Sequence, residues 1–148
     1  MKSLFIKLQL IALIFIFVGC HFNSSYVDRQ EDKNEAEGVT SDFYTYLQRN
    51  DFKNSLQLMS SKFFEKSTEE QTIEFMNETN DKLGAVKYAR IKEWHTLRVE
   101  GTDPKTQYVF IYEVERDKYN SIETVSLEKE DGVAKIVGYN VSSGGSYK

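Results

Sequence analysis

Three segments with helical spacing, followed by four β-rich runs joined by turns, make an α+β domain the expectation for this chain of 148 residues. The change of period falls at Leu83-Gly84-Ala85. Before it, apolar residues recur every three or four positions; after it, every two. About three amino-terminal helices should therefore pack on one face of a curved antiparallel sheet of about four strands, over residues 36–141. The length suits one domain of ordinary size and excludes a multi-domain enzyme.

The chain opens on Lys2 and Lys7, and Leu8 to Val18 is a run in which Gln9 alone is polar. Crossing ~30 Å of hydrocarbon takes about 20 apolar residues, so this shorter run reads as the core of an export signal over residues 1–19. Phe17-Val18-Gly19-Cys20 then resembles the lipobox of bacterial lipoproteins, with phenylalanine in the place of the usual leucine. The resemblance implies cleavage between Gly19 and Cys20 and a thioether-linked diacylglycerol on Cys20. His21 is not the aspartate of the inner-membrane retention signal, so the resemblance implies the outer membrane wherever the organism has one. Cys20 is the one cysteine of the chain, which excludes an intramolecular disulfide. Two or three acyl chains gain ~0.8 kcal/mol per buried methylene, so anchoring asks nothing of the folded surface.

Removing residues 1–19 takes away two lysines and no acid, so the net charge of −4 becomes −6. That balance argues against nucleic acid and against binding anionic head groups through basic patches. The segment 20–35 is polar and without sustained period, and reads as the lipidated cysteine and a flexible tether with roughly 20 Å of reach, the alternative being a helix that starts as early as Val27.

Ala36, Val39, Phe43, Tyr46 and Leu47 have the spacing of a helix over Glu35 to Gln48. Asn50 suits a left-handed helix end, and Asp51 suits the cap of a second helix with Phe52, Leu56, Met59 and Phe63 on one face. Ser67 and Glu70 match a capping box, opening a third helix with Ile73, Met76 and Leu83 inward and Gly84 closing it. Val86 to Val99 is extended and changes parity between Tyr88 and Ile91, which calls for a bulge. Thr106 to Glu115 alternates Tyr108, Phe110, Tyr112 and Val114 with Val109 and Ile111, as a central strand does. Ile122 to Lys129 and Val133 to Val141 follow, joined by the hairpin signal Asp131-Gly132. Residues 142–148 read as a frayed tail.

The order helix, Asn50-Asp51-Phe52, helix, Leu83-Gly84, Tyr108 to Tyr112, Glu123-Thr124-Val125-Ser126-Leu127, Asp131-Gly132 and Gly138-Tyr139 resembles small exported NTF2-like (cystatin-like) domains of unknown function. Where those commonly carry tryptophan after the hairpin glycine, this chain has Ala134. The resemblance implies a cone whose open end admits an apolar ligand.

Candidate residues follow from parity and chemistry. Glu123 shares strand parity with Val125 and Leu127, so it points toward the core, where a carboxylate must be paired, hydrogen-bonded or shifted in pKa. The plain alternative is a strand-end carboxylate pairing with Arg90, Lys92 or Lys135. Tyr108, Tyr112 and Tyr139 are the candidate ligand contacts, their rings also being natural core. His95 is the one histidine of the folded region and no cysteine is free to join it, so a metal site is not expected, nor is a cofactor. Three functions stay open. One is a non-catalytic module binding a protein partner or a small apolar ligand. The second is an isomerase- or dehydratase-like enzyme using Glu123 with tyrosine donors. The third is a homodimer formed through Val109 and Ile111 on an open sheet face.

Overall fold

The computed structural model describes residues 23–143. The export signal, Cys20 and residues 144–148 lie outside the described residues. An α+β fold is observed, built on one antiparallel sheet of five strands in the order β1-β2-β3-β4-β5. The strands are β1 (Ser24–Val27), β2 (Val86–Glu100), β3 (Lys105–Arg116), β4 (Ser121–Glu130) and β5 (Val133–Ser143). The helices are α1 (Gln30–Gln48), α2 (Phe52–Ser55), α3 (Ser61–Phe64) and α4 (Glu69–Leu83), with a 3₁₀ turn at Leu56–Leu58.

The four long strands start and end within two residues of their expected bounds, because Gly and Asp at the turns leave few alternatives. Asp131 and Gly132 both take positive φ, 50° and 83°, the backbone of a two-residue type I′ hairpin. The parity change in β2 is resolved by two irregularities, between Val86 and Tyr88 and between Ile91 and Glu93. β3 lies third of five and is central.

The segment expected to be a tether is partly folded. Ser24–Val27 pairs with Leu97–Glu100 of β2, and α1 starts at Gln30, five residues before the expected Glu35. Glu31 and Asp32 favour a helix start through the macrodipole. The buried face of α1 is Asp32, Ala36, Thr40, Phe43, Tyr44 and Leu47. Two of these are polar, which hid the stripe, while Val39 and Tyr46 are only half-buried.

The expected second helix is broken. Met59 is extended (φ −87°, ψ 147°) and bridges Ile136 of β5, and Ser60 N donates to Ile136 O at 2.8 Å. Ser60 then caps α3, its Oγ accepting from Lys62 N at 3.1 Å. A backbone contact with a distant strand thus outweighs local helix continuation. The capping box is present one residue later than expected: Thr68 Oγ1 accepts from Gln71 N, and Gln71 Oε1 accepts from Thr68 N. Of the residues expected inward on α4, Met76 is buried while Ile73 and Leu83 are half-buried.

The core lies between α1 and the sheet. Ala36, Phe43 and Leu47 meet Tyr108, Phe110, Val125, Leu127 and Ile136, all nearly or wholly buried. Each fully buried large apolar side chain contributes about 1.5–3 kcal/mol. Ala134, 2% exposed, fills the place where the resemblance puts tryptophan.

Candidate functional site

Glu123 points inward as its parity requires and is 0% exposed. Its partner is none of Arg90, Lys92 or Lys135 but Arg116 at the end of β3, whose side chain is equally buried. Arg116 donates to Glu123 Oε1 from Nε at 2.9 Å and from Nη2 at 2.7 Å, and Ser121 Oγ donates to the same oxygen at 2.6 Å. Oε2 accepts from Tyr139 OH at 2.6 Å and from Tyr44 OH at 3.1 Å. Five donors converge on a group with about four lone-pair sites, leaving none for a substrate proton.

The network continues outward. Arg116 Nη1 donates to Asn80 Oδ1 at 3.0 Å and to Gly84 O at 3.1 Å, and Asn80 Nδ2 donates to Asn50 Oδ1 at 2.6 Å. The cluster therefore bolts the end of α4 and the α1–α2 turn to the sheet. The space beside Arg116 and Tyr139 is about 10 Å³, no more than one water. Burial, and then the Glu123 charge, push the Tyr44 and Tyr139 hydroxyls well above the ordinary tyrosine pKa. Both stay neutral donors, which suits holding a carboxylate.

The other candidate tyrosines are engaged internally as well. Thr40 Oγ1 donates to Glu37 O at 3.0 Å, so its contact with Tyr112 OH at 2.6 Å is donated by the tyrosine. Burial pushes the Tyr112 hydroxyl up to about 12. Tyr108 OH donates to Glu35 Oε2 at 3.1 Å, and Lys129 Nζ stands 2.6 Å from Glu35 Oε1. Beside them the buried Asp32 forms an ion pair with Arg98 that is close but poorly aligned, since neither Asp32 oxygen gains a well-directed hydrogen bond.

Open space lies elsewhere, between α1 and β2. A groove of about 660 Å³ has one wall made by Lys33, Glu37, Ser41, Thr45 and Gln48, spaced as one face of a helix. The opposite wall is the consecutive run Tyr88 to Lys92 with Trp94, and Tyr44 and Tyr112 form the floor. Lys33 Nζ stands 5.9 Å from the centre of the Trp94 ring, within cation–π range. The groove was not legible in the sequence, because the expected helix begins at Glu35, after Lys33, and nothing in the run Tyr88 to Lys92 marks it as an uncovered strand edge.

His95 is exposed beside Glu93 and Asp28, 2.9 Å from Glu93 Oε1 and 3.5 Å from Asp28 Oδ2. Among the described residues no group of three His, Cys, Asp or Glu side chains is placed to hold a metal ion. Val109 and Ile111 lie on the outer sheet face, opposite His95 and Glu93 on one side and Ser126 and Thr124 on the other. Polar neighbours break that face into small apolar spots. No helix among the described residues is long and apolar enough to cross a membrane.

No protein family matches the chain, and no curated protein or solved structure matches it.

Proposed function

We propose that the protein is an exported, lipid-anchored envelope module that binds a protein partner without catalysis, resembling NTF2-like domains in the order of its main helices and its hairpin-linked strands. Cys20 carries the anchor in this reading, and the groove between α1 and β2 is the working surface. The observation that supports the binding role is the contrast between a filled interior and an open groove, about 10 Å³ beside the buried carboxylate against about 660 Å³ outside it. An apolar ligand would need an enclosed apolar cavity. The groove instead mixes Lys33, Glu37 and Arg90 with aromatic rings, the mixed polar and aromatic character of a protein contact.

Intact mass spectrometry of the chain purified from the producing bacterium tests the anchor. The expected mass is that of residues 20–148 plus a diacylglyceryl group, absent in C20S; an unmodified Cys20 overturns the anchor. A photo-crosslinking residue placed at Ser41 in intact cells tests the surface. A discrete protein adduct is expected there and not at Thr124 on the outer sheet face; equal labelling at both overturns the groove assignment.

A further inference from the structure

Among the described residues, no strand covers the outer edge of β2 between Tyr88 and His95. β1 covers only Leu97–Glu100 of that edge. Both ends of the gap are closed: Gln48 Nε2 donates to Lys87 O at 3.1 Å, Asp28 N donates to Thr96 O at 3.0 Å, and Thr96 N donates to Asp28 Oδ1 at 2.9 Å. The stretch between them is about 26 Å of strand, with alternate backbone N–H and C=O groups directed away from β3. An unpaired edge of this kind is a template for another extended chain.

The groove lies where such a chain would run. Five consecutive residues, Tyr88 to Lys92, line the groove. Successive side chains alternate between sheet faces, so a hollow touching all five opens on the strand's edge and not on one face. Tyr88 and Arg90 also border a second hollow of about 580 Å³, which lies away from the edge, toward Glu113 and Glu115 of β3 and Ile122 of β4. The facing stripe of α1, from Lys33 to Gln48, runs about 22 Å, the length of six or seven extended residues.

Charge selects the occupant. Three cations, Lys33, Arg90 and Lys92, line the groove against one acid, Glu37, which pairs with Lys33 at 2.5 Å; the excess on the strand side is therefore Arg90 and Lys92, on a chain of net charge −4. Glu113 on β3 pairs with Arg90 at 2.5 Å and Lys92 at 3.6 Å, so an incoming carboxylate would share these cations with it. A second copy is disfavoured. Two-fold antiparallel pairing centred on Arg90, Ile91 or Lys92 sets Arg90 against Arg90, Arg90 against Lys92, or Lys92 against Lys92.

We propose that the free edge of β2 takes an extended acidic segment of a partner protein, which adds as a sixth strand between β2 and α1. This rests on the binding-module reading and names its partner chemistry and mode.

The test uses the full chain purified in detergent and a displayed library of random octapeptides. Selected peptides should be rich in Asp and Glu, lose at least tenfold in affinity when alternate backbone amides are N-methylated, and slow amide exchange within Tyr88–His95. R90E/K92E, retaining its melting temperature, should lose at least tenfold toward the same peptides. Binders that protect another surface, or tolerate N-methylation, would overturn strand addition and leave the module reading standing. A library yielding no binder would overturn both. Protection of Tyr88–His95 that rises with the protein's own concentration would assign the edge to a second copy and overturn the acidic-segment proposal.

Discussion

Glu123 illustrates what a single residue reveals. Its inward direction was legible from the parity of Val125 and Leu127, yet its role depends on Arg116, one position beyond the expected end of β3. The signal was there, since Tyr108, Phe110, Tyr112 and Val114 continue in step to Arg116. Removing one member of a buried pair strands the other, which costs about 3–5 kcal/mol, whereas replacing both with apolar residues is often neutral. Urea denaturation should therefore show E123Q destabilised by about 3 kcal/mol and E123L/R116M recovering most of the loss. His95 offers a second residue-scale measurement. The Glu93 hydrogen bond, and then Asp28, raise its pKa above the ordinary 6.5. The raised value means that its contribution to stability is fully present below about pH 6.5 and is lost as pH rises through the folded-state value. NMR titration should place His95 above 6.5 in the native chain and lower in E93Q; no change in E93Q would contradict the assignment.

At the scale of elements, what was legible followed from local chemistry and what was hidden followed from distant contacts. The hairpin at Asp131-Gly132 and the helix end at Asn50, φ 55°, are settled by residues that tolerate positive φ. The break at Met59–Ser60 needs Ile136, which is far away in sequence, and β1 needs the outer edge of β2. α1 was underestimated because Asp32 and Thr40 interrupt its apolar stripe. Two glycines test these elements with opposite signs. Gly84 has φ 86°, and a Cβ there would meet Asp117 Cβ and Lys118 N at 2.7 Å. G84A should lose about 3 kcal/mol. Gly38 lies within α1 with nothing within 4 Å of an added Cβ, so G38A should gain about 0.5–1 kcal/mol. Thermal denaturation of the two variants decides both.

For the whole molecule, the folded β1 changes how the domain sits if Cys20 carries the anchor. Four residue steps separate Cys20 from Ser24, at most about 14 Å, in place of a longer flexible tether. Asn23 Oδ1 accepts from Thr102 N at 3.1 Å, so the chain enters beside the β2–β3 turn. That turn should face the bilayer. A fluorophore at Asp103 should be quenched by lipid-borne quenchers more strongly than one at Tyr119 in the opposite turn, and equal quenching would contradict this orientation. The expectation of an anchor rests on the leader and the lone cysteine, while the short link from Cys20 to β1 was not legible, because the polar segment after Cys20 has no internal period.

The central claim is that the interior is closed by the Glu123–Arg116 cluster and that the free edge of β2 is the working surface. Amide hydrogen exchange of the protein in the cells that produce it, compared with the purified protein, tests it most directly. The account predicts that exchange within Tyr88–His95 slows in the cells while the outer face of β3 to β5 is unchanged. Unchanged exchange in Tyr88–His95, or protection confined to the outer sheet face, would contradict it.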